Sequence, residues 1–285
     1  MKTKIFVLGI ILSLFTVSCS KNDSTDNSSM TKDEAQSSSK IDLASDDVSS
    51  IVEDQYNNIN SNSFSNKNGE MALSTCATIT RNPNFGTPLN DSDLVTKTID
   101  FGSGCTLSNN NVVSGKIIIS FTYHPTAPSQ TVNYSFDNFY HNSIKIEGNK
   151  SFTRTMTTGS NPHPIVVMQM DLTATINGQS HHRVGTRTRE IIAGYDTPND
   201  VTDNVYSITG NWTTTHPTGT VSSTITSPLQ VKMSCMNLHK PLIVQGIITF
   251  TKNNHTATLD YGNGACDNTA IFTVNGNSYT ITIGN

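Results

Sequence analysis

The stretch Ile99-Asp100-Phe101-Gly102-Ser103-Gly104-Cys105 has a second copy near the C-terminus, Leu259-Asp260-Tyr261-Gly262-Asn263-Gly264-Ala265-Cys266. Both copies read apolar, Asp, aromatic, Gly, any residue, Gly, and then Cys within two positions. Each copy also has one upstream cysteine, since Cys76 precedes Cys105 by 29 residues and Cys235 precedes Cys266 by 31. The repeat therefore predicts two matching modules at the two ends of a β-domain, closed by the disulfides Cys76–Cys105 and Cys235–Cys266.

From about residue 71 onward, apolar and polar side chains alternate with the period of a β-strand. In one such segment, Val132, Tyr134 and Phe136 share one face. Glycine also recurs at intervals of about 30 to 36 residues, enough for one β-hairpin each. These glycines are Gly115, Gly148, Gly178, Gly210, Gly246 and Gly276, and Asn177-Gly178 and Asn275-Gly276 are direct hairpin-turn signals.

These periodicities predict an all-β domain over residues 71–285, built as an antiparallel meander of about 10–12 strands. A meander of this length is expected to close into a barrel or to fold into two packed sheets, because its edges are otherwise exposed. The composition agrees, with 34% hydrophobic and 14% charged residues and abundant Ser, Thr and Asn. The net charge of −4 gives no electrostatic footprint for nucleic acid.

The first residues have the pattern of an export signal. Lys2 and Lys4 precede an apolar run, residues 5–15, that is too short to span a bilayer. The run ends in Thr16-Val17-Ser18-Cys19, which resembles the lipobox of bacterial lipoproteins. The resemblance implies a signal peptide of residues 1–18 and lipid on Cys19. The alternative is an ordinary secretory signal that contains a cysteine, but the other four cysteines form the two pairs of the repeat.

Ser20-Lys21-Asn22-Asp23 resembles the surface-export signals of lipoproteins from the Bacteroidota. Most of residues 71–285 is similar to lipoproteins of that group that carry an Asp-[Phe/Tyr]-Gly-x-Gly motif followed by Cys. The resemblance implies an outer-membrane protein, anchored by its lipid and displayed on the cell surface. It implies no activity.

Between the signal and the β-domain, residues 19–70 are predicted to form a flexible tether, because residues 20–39 and 57–69 contain almost nothing to bury. One helix is predicted in it, over residues 44–57, where Ala44, Val48, Ile51, Val52 and Tyr56 fall on one face. We expect this helix to pack on the β-domain. A partner-binding helix on the tether is the alternative.

One group of basic residues is the main candidate for a binding site. His181, Arg183, Arg187 and Arg189 share one face if residues 180–190 form a strand. Arginine binds carboxylate, sulfate or phosphate through parallel hydrogen bonds, so this basic stripe suits an anionic glycan or a lipid headgroup. The alternatives are a solvated strand face, which a strand of low charge favours, and buried arginines paired with acids of the chain.

Other candidates have stronger structural interpretations. Asp100 and Asp260 resemble the two acids of a glycoside hydrolase, but an Asp before aromatic-Gly-x-Gly is typical of a turn. His181 and His182 are adjacent on a strand and point to opposite faces, so no metal ion is predicted. The aromatic side chains are either stacking platforms for sugars or parts of the core; these are Phe139, Tyr140, Tyr195, Tyr206 and Trp212.

No nucleophile elbow, zinc-protease, P-loop or dinucleotide-binding motif is present, and no cofactor is predicted. The sequence favours a non-enzymatic, lipid-anchored binding module for a glycan, a host surface or an envelope component. Two alternatives remain open. A hydrolase of surface polymers would need a deep cleft with close carboxylates, and a carrier of lipids or other hydrophobic molecules would need a large apolar cavity inside the sheet.

Overall fold

The computed structural model describes residues 29–63, 76–107, 110–197, 200–238 and 240–283. The predicted signal peptide, the predicted lipidation site Cys19 and residues 64–70 of the predicted tether lie outside the described residues. The described chain begins with one helix, α1 (Lys32–Asn57), and continues into fourteen strands and two short 3-10 helices, Val201–Asp203 and Met233–Leu238.

The strands are β1 (Thr78–Asn82), β2 (Leu94–Asp100), β3 (Cys105–Thr106), β4 (Val112–Thr122), β5 (Ser129–His141), β6 (Ile144–Met156), β7 (Pro164–Ile176), β8 (Gln179–Ala193), β9 (Val205–His216), β10 (Gly219–Lys232), β11 (Ile243–Lys252), β12 (His255–Asn263), β13 (Thr269–Val274) and β14 (Asn277–Thr282).

All fourteen strands belong to one antiparallel sheet, in the order β1-β2-β4-β5 and then consecutively to β14, with β3 paired only to β4. The prediction of an all-β meander with one N-terminal helix is confirmed. Among the described strands, β1 and β14 each pair with a single neighbour, so the sheet is unclosed. Helix α1 covers the inner face of this sheet, in the place that a second sheet would take.

Helix α1 has 26 residues, which corresponds to a length of about 39 Å at 1.5 Å per residue. Its start is fixed by a capping box: the Thr31 hydroxyl accepts from the Glu34 amide at 3.1 Å, and Glu34 Oε2 accepts from the Thr31 amide at 2.8 Å. The helix therefore begins at residue 32 and not near residue 44, and the prediction that residues 32–43 belong to the tether is wrong. The apolar stripe that predicts the helix starts only at Ala44, whereas the capping box lies at Thr31 and Glu34.

The helix lies between two hydrophobic clusters. Ile41, Val48 and Ile51 pack into a cluster formed by strands β1 to β7. Met30, just before the helix, and Ala35, in its first turn, pack into a second cluster formed by β9 to β14 and the residues that follow. The sheet therefore curls around α1, and both halves of the domain use the helix as core.

The two sequence modules lie near the two ends of the sheet, as the repeat predicts. Cys76 and Cys105 are disulfide-bonded with their Cα atoms 5.6 Å apart, and Cys235 and Cys266 are bonded at 5.3 Å. In the first module, Asp100 Oδ1 accepts from the Gly102 amide at 2.9 Å. In the second, Asp260 Oδ1 accepts from the Gly262 amide at 2.8 Å. Both aspartates thus have the turn role, and both glycines have positive φ.

The recurrent glycines fall into two structural classes. Gly178 and Gly276 are in hairpin turns after Asn177 and Asn275, as predicted. The other four lie inside strands, with positive φ, where the neighbouring strand approaches closely. A Cβ on Gly115, for example, would lie 2.0 Å from the carbonyl oxygen of Asn138. These strand glycines permit the bends that curl the sheet; they are Gly115, Gly148, Gly210 and Gly246.

Candidate ligand-binding cleft

The basic stripe of β8 faces helix α1. Its four side chains share one face of the strand, as predicted, but that face is the inner one: Arg183 is 0% exposed and Arg187 2%. Both guanidinium groups donate to Oδ1 of Asp42 in the helix. The solvated-face interpretation is therefore wrong. The anion that these arginines bind is a carboxylate of the same chain.

The same pairing extends along the whole helix. Lys252 of β11 contacts Glu34 at 2.8 Å, and Arg189 of β8 pairs with Glu53. His141 of β5 lies 2.7 Å from Asp47. An acidic helix thus lies on a basic inner sheet face. Lys150 of β6 is also buried on this face. Sequence reasoning missed Lys150 and Lys252. The alternation of each strand could have placed them inside, because Lys150 shares a strand face with Phe152 and Lys252 with Phe250.

Two of the five aromatic residues considered as sugar platforms are buried and not available to a ligand. Trp212 is 2% exposed, and the guanidinium carbons of Arg183 and Arg187 lie 5.3 and 4.1 Å from its ring centre. Phe139 is also buried in the core. Tyr195 and Tyr206, by contrast, line the same cavity.

The larger cavity, which we name the apolar chamber, has a volume of about 290 Å³ and lies between α1 and the inner face of the sheet. Its sheet side is predominantly apolar, and its helix side carries carboxylates, among them Asp46 and Glu53. The sheet side and its connections contribute two basic residues, Arg189 and Lys240, and also Met168, Tyr206, Ile208, Val231, Met233, Met236, Pro241, Leu242, Ile243, Tyr261 and Ile283.

The two disulfide modules meet at this chamber. Asn110 and Asn111, which follow β3 of the first module, line it together with Met236 and Tyr261 of the second. Residues from opposite ends of the meander therefore form one wall, because the sheet curls around α1. The repeated aspartates do not take part, since Asp100 and Asp260 are bound in their own turns.

A second cavity of about 200 Å³, which we name the tyrosine chamber, adjoins the first. It contains Tyr56, Tyr195 and Tyr206 together with Arg154. Four residues line both chambers and form their common wall; these are Glu53, Asn57, Arg189 and Tyr206.

The common wall is strongly polar. Arg189 donates to Glu53 Oε2, and its guanidinium lies 4.8 Å from the centre of the Tyr206 ring. The other carboxylate oxygen, Glu53 Oε1, is buried and has no hydrogen-bond partner among the described residues. The wall therefore offers a hydrogen-bond acceptor to a bound molecule.

A histidine pair lies near the start of the helix, outside both chambers. His181 Nδ1 and His216 Nδ1 are 2.8 Å apart, so one ring donates to the other. Burial lowers the pKa of His216 to about 4, which keeps this ring neutral at ordinary pH. His181, the fourth residue of the basic stripe, thus pairs with a histidine and not with an acid.

Within the described part of the chain, no group of three or more His, Cys, Asp or Glu side chains is placed to hold a metal ion. No helix in that part has the length and apolar character to cross a membrane. No protein-family model, curated protein or solved structure matches the chain.

Proposed function

We propose that the protein is a non-enzymatic, lipid-anchored binding protein of the cell envelope, and that it holds an amphipathic ligand with an apolar chain in the apolar chamber. The observation that carries the proposal is the chamber itself. Its volume of about 290 Å³ is close to the lower end of the range for small-molecule sites, roughly 300 Å³.

The walls of the apolar chamber suit a flexible chain. Met168, Met233 and Met236 supply unbranched thioether side chains, which adapt to ligands of differing shape. Helix carboxylates line the opposite side, so a fully apolar molecule would leave Asp46 and Glu53 without water. A ligand with both an apolar chain and a polar head satisfies both sides.

The location follows from the N-terminal residues. A lipid on Cys19 would hold the domain at the outer membrane and, with the residues that follow it, display it at the cell surface. Two disulfides fit the oxidising compartment that export provides. In this proposal the partners are the membrane, through the anchor, and a glycan or lipid component of the envelope.

A displacement assay tests the chamber. An octaethylene glycol alkyl ether with a dansyl group at the end of its alkyl chain should gain fluorescence on binding the soluble domain, and the unlabelled dodecyl ether should displace it. Met236→Trp places a larger side chain in the chamber and should weaken probe binding about tenfold or more. Leu238→Trp is the matched control, because Leu238 lies in the same 3-10 helix but is 60% exposed.

The control variant should bind the probe like the wild type. Equal weakening in both variants, or no saturable binding by the wild type, would exclude the apolar chamber as the ligand site.

A further inference from the structure

The two chambers adjoin but differ in chemistry, and this difference indicates what kind of head the ligand carries. We propose that the tyrosine chamber binds a neutral glycosyl headgroup whose apolar chain occupies the apolar chamber, so that the ligand is of the glycolipid class. This inference rests on the proposed function, and it adds the identity of the headgroup.

The first argument is the aromatic surface. Tyr56, Tyr195 and Tyr206 line a cavity of about 200 Å³, which is wide enough for a sugar-sized group and mixes apolar side chains with polar ones such as Arg154. Sugar rings present C–H groups on their faces, which pack on aromatic rings, and hydroxyl groups at their rims. Tyr195 is half-buried, and its outer neighbour is His163, whose ring centre is 6.5 Å away.

The second argument is the set of polar groups that lack partners. Arg154 is half-buried in the tyrosine chamber and forms no ion pair with any described residue. Glu53 Oε1, on the common wall, is a buried acceptor without a hydrogen-bond donor in the described chain. A bound molecule that donates to Glu53 and accepts from Arg154 would satisfy both.

Other headgroups do not satisfy both groups. A carboxylate or a fully ionised phosphate would accept from Arg154 but has no proton to donate to Glu53 Oε1. A quaternary ammonium has no N–H to donate to Glu53 either, and Arg154 would repel it. A sugar hydroxyl both donates and accepts, so an uncharged polyhydroxy head can hydrogen-bond to both groups.

Three amphiphiles with the same chain separate the alternatives: dodecyl maltoside, octaethylene glycol dodecyl ether and dodecyl phosphate. Each is titrated calorimetrically into the soluble domain below its micelle-forming concentration. The maltoside should bind about tenfold more tightly than the ether. Equal affinities for all three would overturn the headgroup assignment but would still support the apolar chamber as the site of the alkyl chain. Tighter binding of the phosphate would overturn it in favour of an anionic head. Binding of none would overturn the chamber as well.

Single substitutions test whether the preference comes from the tyrosine chamber. Arg154→Gln and Tyr195→Ala should remove the preference for maltoside and leave the ether affinity unchanged. Lys145→Gln, a change of a basic residue on the same strand at an exposed position that lines neither chamber, should preserve the preference. Equal weakening of maltoside and ether by Arg154→Gln would contradict the proposal, because the residue would then act on the fold and not on the headgroup.

Discussion

Arg183 on the inner face of the sheet donates a hydrogen bond to Oδ1 of Asp42 in helix α1, and neither side chain exposes more than 3% of its surface. Arg187 donates to the same oxygen. One buried carboxylate therefore neutralises part of the charge of two buried guanidinium groups. This arrangement attaches the N-terminal helix to the middle of the sheet, although the first strand begins more than thirty residues after Asp42.

Substitution of Asp42 should strongly destabilise the domain. Asp42→Asn leaves the buried Arg183 without a carboxylate and Arg187 with only Asp46, whose Oδ1 lies 3.6 Å from Arg187 Nη1. Breaking a buried pair in this way costs about 3–5 kcal/mol. Urea unfolding measures the change. Asp33→Asn is the control, because Asp33 lies exposed in the first turn of the same helix, where its interaction with the helix dipole is worth less than about 1 kcal/mol. Similar small effects of the two changes would contradict the central role of Asp42.

Lys150 should make the domain more stable as the pH rises above neutrality. Its ammonium is buried and donates to Ser45 O, Ser45 Oγ and Ser49 Oγ at 3.0, 2.7 and 2.8 Å. Burial lowers its pKa in the folded protein to about 7, against about 10.4 in an unfolded chain. Between these values the unfolded state binds more protons, so the free energy of unfolding increases with pH.

The pH effect is measured by urea unfolding at pH 7 and pH 9.5. Lys150→Met should flatten the increase relative to the wild type. Lys145→Met, a change at an exposed position of the same strand, should keep it. An unchanged increase in Lys150→Met would show that the group does not titrate in this window.

The disulfides should be those that the repeat predicts, and no others. Non-reducing peptide mapping should recover Cys76 linked to Cys105 and Cys235 linked to Cys266. Loops of 29 and 31 residues each stabilise by about 3–4 kcal/mol on the loop-entropy account, so Cys235→Ser with Cys266→Ser should lower the free energy of unfolding by roughly that amount. A link between the two modules would contradict the duplication.

The proposed lipid anchor depends on Cys19. Cys19→Ala should move the protein from the membrane to the soluble fraction after cell lysis, because no acyl chain can then be attached. Ser18→Thr, a neighbouring change that keeps the cysteine, should still yield some membrane-bound protein. Complete retention of the Cys19→Ala protein in the membrane fraction would refute the lipoprotein assignment.

The sequence predicted what depends on local pattern. The paired motifs correctly predicted the turns of Asp100 and Asp260 and both disulfides. Each turn and each disulfide is formed by residues of a single module, so the sequence of that module is enough to predict them. Strand alternation correctly predicted that Arg183, Arg187 and Arg189 share a face. It could not predict that this face is the inner one, because the partner Asp42 lies 141 positions away.

The cleft could not be predicted for the same reason. Its walls come from α1, β7 to β12 and both modules, which are brought together only when the sheet curls around the helix. The true start of the helix could have been predicted from the sequence, because Thr31 and Glu34 have the spacing of a capping box. The glycine spacing indicated hairpins, but four of those glycines proved to mark bends in strands.

The most direct test of the central claim is photo-crosslinking with an octaethylene glycol alkyl ether that carries a diazirine at the end of its alkyl chain. After irradiation, peptide mass spectrometry locates the labelled residues. The account predicts labels on the walls of the apolar chamber, at Met233, Met236 and Ile243, and their loss when the unlabelled dodecyl ether is in excess. Labels confined to exposed apolar residues, such as Leu94, Val184 and Ile192, would contradict it.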